Sequence, residues 1–237
     1  MKNNIELNPL HKTRLHEGIV MQIQNKILTG EYRVGDRLPP ERDLAANLDV
    51  NRSTLREALK KLEMLELVEI RHGDGVYVKN YLESGSLELL LPLMTAGGSI
   101  DIEILKGLLH LRRLILPDVA YQAALNRNEA DLDDMEQVVK HDNGLSLIER
   151  DMMLYRLIAR SSRNIPFLLL LNFFNNSGLV ADLLKIYFSD KENIGRTLRF
   201  YGEVIESIRR REPEKSKSIM YELLVYAERK TVDSLAE

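Results

Sequence analysis

Cysteine and tryptophan are absent from the 237 residues, and aromatic residues make up only 6% of them. Without cysteine, neither a disulfide framework nor a thiolate metal site can be built. An excess of charge of one sign is also missing, since 33 Lys and Arg face 36 Asp and Glu for a net charge of −3. Residues 1–80 hold 13 basic against 12 acidic side chains, leaving 20 against 24 in the rest. Any affinity for nucleic acid must therefore come from where the charges sit, not from their sum. No uninterrupted apolar run approaches the ~18 residues of a membrane span, and no apolar leader opens the chain. LELLLPLM (87–94) and FLLLLNFF (167–174) have the length of buried helices. A soluble cytoplasmic protein without a membrane partner is the expectation. The five histidines show no nucleophile–base pattern and no glycine-rich phosphate loop precedes a helix, so the sequence argues against an enzyme and calls for no cofactor.

What is present is organised in two parts, which we divide at 1–80 and 81–237. In the first, Ile19, Ile23 and Ile27 recur on one helical face, and Gly30 stands where a left-handed stop is needed, which predicts a helix from about 12 to 29. Pro40 suits the first turn of a short second helix through ERDLAANL. Asp49-Val50 makes a turn, and Asn51 or Ser53 caps a third helix whose buried stripe is Leu55, Leu59 and Leu62, with Ala58 beside it. Its other face carries Asn51, Arg52, Ser53, Thr54 and Arg56, with Lys60 and Lys61 further along. Arginine can hold a guanine edge with two hydrogen bonds, and Asn, Ser and Thr reach bases or phosphates, so this face suits a DNA groove. The same residues also suit a solvated helix face with ordinary caps. Residues 67–70 and 76–78 then alternate as two strands around Arg71-His72-Gly73-Asp74-Gly75, a basic, glycine-bearing tip of the sort that enters a minor groove.

Three stretches in this order, GDRLPPERDLA (35–45), VNRSTLREALKKL (50–62) and HGDGVYV (72–78), resemble the winged helix-turn-helix of the GntR superfamily of bacterial transcription regulators. The resemblance implies that Arg42, Arg52 and Arg56 contact double-stranded DNA, together with Ser53, Thr54, His72 and Gly73, and the helix face adds Asn51 to them. Pattern alone would leave Arg42 as a solvated charge.

The second part lacks strong β signals, and we expect helices at 86–95, 101–125 (bent or stepped at Pro117), 129–142, 145–162, 165–187, 191–211 and 214–235. The fold class is then mainly α: three helices and a small β-hairpin, followed by an antiparallel all-α bundle. LLHLRR (108–113), DMMLYRLIARSSRN (151–164) and FYGEVIESI (200–208) are similar to the helical effector domain of the FadR subgroup. Many members of that subgroup hold a divalent metal on an Asp and three His. Here Asp151 stands in place, but the remaining positions are Tyr155, Gly202 and Glu228, and no histidine follows His141. We therefore expect no metal.

Members without the histidines include a fatty-acid-metabolism regulator, which DMMLYRLIA (151–159), IYFSDKE (186–192) and RFYG (199–202) resemble. That likeness implies a small-molecule effector, a long-chain acyl-CoA or fatty acid, lined by Tyr155, Phe174, Tyr187, Tyr201 and Tyr226 with Arg112 and Asp151 as polar partners. The aromatics also suit plain core packing, and Arg112 and Asp151 a buried ion pair with no ligand. The resemblance as a whole implies a homodimeric regulator on a pseudo-palindromic operator. A regulator of small carboxylates and a constitutive DNA-binding protein are the alternatives.

Overall fold

The computed structural model describes residues 13–140, 144–176 and 178–236, and contacts divide the chain into two units, Met1–Asp101 and Ile102–Glu237.

In the first unit the helices are α1 (Thr13–Leu28), α2 (Glu41–Asn47) and α3 (Arg52–Met64), followed by strands β1 (Val68–Arg71) and β2 (Gly75–Val78). Ile19, Ile23 and Ile27 of α1 meet Leu55, Ala58, Leu59 and Leu62 of α3, all buried. Each buried leucine contributes roughly 2 kcal/mol, so this stripe fixes which face of α3 turns inward and which is left to solvent. The strands pair antiparallel in the register Val68↔Val78 and Ile70↔Val76, putting Val68, Val76 and Val78 on the core. Gly73 closes the hairpin at φ 79°, in the left-handed region that favours glycine. The chain before α2 adds a further edge, with Leu38 N–H donating to the Val76 carbonyl (2.8 Å) and Val78 N–H to the Asp36 carbonyl (2.9 Å).

Small departures have local causes. Pro40 sits one residue ahead of the first turn, as the N-cap of α2, where its carbonyl accepts from Asp43 and Leu44 N–H. YLESG, which reads as a linker, forms the one-turn helix α4 (Tyr81–Ser84), and Tyr81 packs against the first core. The helix expected at 86–95 is a 3₁₀ turn (Leu87–Leu89) leading into α5 (Leu90–Thr95).

The second unit is helical among the described residues: α6 (Ile102–Asn126), α7 (Glu129–Val139), α8 (Leu147–Ser161), α9 (Ile165–Asn175), α10 (Leu179–Tyr187), α11 (Lys191–Arg209) and α12 (Pro213–Ala236). α6 runs unbroken through Pro117. Capping boxes begin α7 (Asn128 with Asp131) and α8 (Ser146 with Glu149), each satisfying amides that a helix start leaves unpaired. At the far ends, arginines cross between helices. Arg127 donates to the carbonyls of Ile208 (3.4 Å) and Arg209, while Arg211 donates to those of Leu125 (2.7 Å) and Arg127 (3.0 Å). Two C-terminal helix ends, each carrying partial negative charge, are thus closed by each other's cations.

The single helix expected over 165–187 is two, α9 and α10, bent by 74°. Gly178 at φ 78° precedes α10, a conformation that ends a right-handed run. α9 also departs from the buried helix its composition suggests, since its only buried residue is Asn175, while Ile165 and Leu169 are exposed. Among the described residues no single helix is long and apolar enough to cross a membrane.

Candidate DNA-contacting face and effector site

The polar face of α3 follows from its cap. Asn51 Oδ1 accepts from Thr54 N–H (2.8 Å), Thr54 Oγ1 (2.9 Å) and Ser53 Oγ (2.6 Å), so one amide oxygen organises the whole first turn. Thr54 is turned inward, only 6% exposed, with its hydroxyl spent on Asn51, so it does not offer a base the contact that the sequence suggests. Arg52, Ser53 and Arg56 stay exposed. Replacing Asn51 with alanine is expected to cost about 1 kcal/mol of stability, read by chemical denaturation of the intact chain.

Carboxylates hold most of the neighbouring cations. Arg56 Nε donates to Glu41 Oε2 at 2.7 Å, linking α3 to the first residue of α2, and Arg42 pairs with Asp43 at 3.1 Å. Arg52 has no carboxylate within 4.0 Å among the described residues. On the wing, Arg71 pairs with Glu69 (2.9 Å) and lies over the Tyr77 ring (4.3 Å), while His72 and Gly73 are exposed at the tip. Arg37, which the sequence did not single out, braces the hairpin by donating to the Asp74 carbonyl. A Cβ at Gly75 would come within 2.5 Å of Arg37 Nε and would displace that guanidinium from the hairpin. Exposed arginines on a helix start, flanked by a basic hairpin tip, form a surface able to follow a groove and its phosphates.

In the second unit, Arg112 (α6), Asp151 and Tyr155 (α8), Tyr187 (α10) and Tyr201 (α11) come together. Tyr201 Oη donates to Asp151 Oδ1 at 3.0 Å, and the Arg112 guanidinium lies 5.0 Å from the Tyr155 ring centre. Asp151 is 5% exposed. Burial pushes its carboxyl up to about 6, although Arg112 and the Tyr201 hydroxyl favour the charged form. Burial likewise raises the phenols of Tyr155, Tyr187 and Tyr201, which therefore remain neutral donors. No ion pair within 4.0 Å joins Arg112 to Asp151 among the described residues. Tyr226 joins at one remove: its hydroxyl donates to Asn193 Oδ1 (2.9 Å), and Asn193 Nδ2 donates to the Tyr187 carbonyl (2.8 Å). Phe174 stands on α9, half-buried and edge-on to Phe173 with ring centres 5.3 Å apart.

Among the described residues, two buried donors in this region, Nε and Nη1 of Arg150, lack hydrogen-bond partners, and the buried hydroxyls of Tyr187 and Thr197 have only each other. Arg150 is 8% exposed, adjoins Asp151 in sequence and acts electrostatically on Tyr201. Sequence reading passed over both Arg150 and Thr197, because one lies among ordinary helix charges and the other within a polar run. Arg112 acts on Asp151, while Arg150 acts on Tyr201 and brings buried donors without partners, which an added anion would satisfy. A metal does not fit these donors. The neighbour of Asp151 is a phenol held neutral, Gly202 has no donor atom, and the Glu228 carboxylate is taken by Arg113 at 3.0 Å.

The chain matches two family models, "Bacterial regulatory proteins, gntR family" over residues 15–78 and "FCD domain" over residues 107–225. It is similar to the HTH-type transcriptional regulator Mce2R of Mycobacterium tuberculosis, 39% identical over 131 residues, 55% of this chain and 54% of that protein. The matched stretch thus spans about half the length of that relative. It is also similar to the fatty acid metabolism regulator protein of Shewanella oneidensis, 29% identical over 184 residues that cover 77% of this chain and 75% of the relative. Among solved structures, Lar, which controls the expression of the Listeria monocytogenes agr system, aligns over 95% of this chain and 98% of its own. The TM-score is 0.57 at 14% identity, a likeness of fold alone.

Proposed function

The chain belongs to the gntR family of bacterial regulatory proteins and carries an FCD domain, and from that membership we propose that it is a cytoplasmic transcription regulator acting as a homodimer on a pseudo-palindromic operator. Residues 1–80 bind the DNA, and the helical region within 81–237 binds an effector and dimerises. Two copies of one reading module match an operator whose halves repeat with the protein's own two-fold symmetry. Arg52 and Arg56 read bases from α3, Ser53 and Arg42 hold the backbone, and His72 with Gly73 enters the neighbouring minor groove. Asn51 acts as the cap that sets the helix, and Thr54 has no direct contact.

The effector is an organic acid. The observation that carries this is the buried Arg150, whose Nε and Nη1 lack partners and whose charge acts on Tyr201, the donor to Asp151. The hydroxyls of Tyr187 and Thr197, which have only each other, would add polar contacts to a compact acid with a further polar group. A long-chain acyl-CoA or fatty acid is the second reading, supported by the likeness to the Shewanella oneidensis fatty acid metabolism regulator.

A thermal-shift panel of small carboxylates, fatty acids and acyl-CoAs separates these readings. A ligand that prefers the native state and is present at 100 times its Kd adds about 2.7 kcal/mol and raises the melting temperature. We expect a small carboxylate to do so and Arg112→Ala to abolish the shift. Stabilisation by acyl-CoA alone would favour the second reading. No shift with any of them would leave a constitutive DNA-binding protein.

A further inference from the structure

We propose that Glu41 is a specificity-determining positioning residue that holds the Arg56 guanidinium in the orientation that reads a base. The proposal rests on the reading of α3 as the recognition helix. Its basis is the 2.7 Å hydrogen bond from Arg56 Nε to Glu41 Oε2, which crosses from α3 to α2.

The two side chains differ in freedom. Arg56 is 64% exposed, whereas Glu41 is 31% exposed and starts α2, where a carboxylate is favoured by the helix dipole. Glu41 is therefore the anchor and Arg56 the group that is steered. Because the bond uses Nε, the two terminal nitrogens keep their donors, and an end-on pair of N–H groups is what a guanine edge accepts. A free arginine would spread its contacts over phosphates, which carry no sequence information. Glu41 also places a negative charge beside the DNA-facing surface, which weakens binding to every duplex alike. The carboxylate thus lowers affinity for all duplexes through its charge and raises discrimination through its hold on Arg56. Arg42 is held differently. Its partner, Asp43, is the next residue in sequence, and at 77% exposure Arg42 is fixed by no other element among the described residues.

The test uses the intact protein and two duplexes, one selected by the wild type from a random pool and a scrambled version of it. Glu41→Ala is expected to raise affinity for the scrambled duplex several-fold and to lower the ratio of selected to scrambled affinity by about tenfold. Glu41→Gln keeps an oxygen for Arg56 Nε without the charge, so it should raise both affinities while holding the ratio near that of the wild type. In the Arg56→Ala background, Glu41→Ala should leave the ratio where Arg56→Ala alone puts it. A purely structural ion pair would move the melting temperature of Glu41→Ala and spare the ratio, and that result overturns the proposal. If Arg56→Ala itself leaves the ratio untouched, the recognition-helix reading of Arg56 falls and takes the proposal with it.

Discussion

Alanine at Arg52 or at Arg56 is expected to weaken binding to the selected operator by about 5- to 150-fold, the span of the 1–3 kcal/mol that a bidentate base contact supplies. The fold should be indifferent to either change. Arg52 is exposed at the first residue of α3, and the Arg56 pair with Glu41 lies at the surface, where such pairs contribute about 1 kcal/mol or less. The two variants should differ in character. Arg52 has no carboxylate within reach among the described residues, so its loss removes a cation that was free to find DNA. Arg56 is already held, so its loss also leaves Glu41 facing the phosphates and should cost affinity for all duplexes. Fluorescence anisotropy against the selected and scrambled duplexes, each at two salt concentrations, resolves this: loss of a base contact lowers the ratio, whereas loss of a phosphate contact flattens the salt dependence. Wild-type affinity for the selected duplex in both variants would remove α3 as the reading helix.

The parts of the chain legible from sequence are those whose causes are local. The stripe of Leu55, Leu59 and Leu62 is spaced for one helical face, and all three are buried. Asn51 precedes the helix it caps, and Gly73 stands where the hairpin needs a positive φ. What escaped reading depends on residues distant in sequence. The Glu41–Arg56 bond spans fifteen residues and the bracing of Asp74 by Arg37 spans thirty-seven, and neither separation leaves a periodic trace. Thr54 shows the opposite failure. Its position in a polar run suggested a DNA contact, but its hydroxyl lies close enough to Asn51 Oδ1 to be consumed by the cap. α9 and α10 merged into one helix because the apolar run up to Phe174 hid a stop that Gly178 supplies. In the effector region, the family resemblance singled out Asp151 and Tyr155, but only the packing of α11 against α8 shows that Tyr201 donates to that carboxylate.

The burial of Asp151 makes its charge a measurable burden. Its carboxyl titrates near 6 in the folded chain, against about 3.9 when unfolded, so between these values the native state binds more protons than the unfolded one. Stability then falls as pH rises through that window, the reverse of a carboxylate held in a strong ion pair. The penalty is fully present above pH 6, is relieved on acidification towards pH 4, and amounts to about 3 kcal/mol at its largest. Asp151→Asn mimics the protonated form and keeps an oxygen for the Tyr201 hydroxyl. It should therefore be more stable than the wild type at pH 8 by up to about 3 kcal/mol and equal to it near pH 4, with the difference growing across the interval. Helix circular dichroism during urea denaturation, at a series of pH values, measures that difference directly. A variant less stable than the wild type at pH 8 would mean that Arg112 and the Tyr201 hydroxyl already stabilise the ionised carboxylate in the free protein. The expected outcome instead describes a site that gives up stability to keep a buried charge, and such a charge persists in proteins mainly where binding or chemistry uses it.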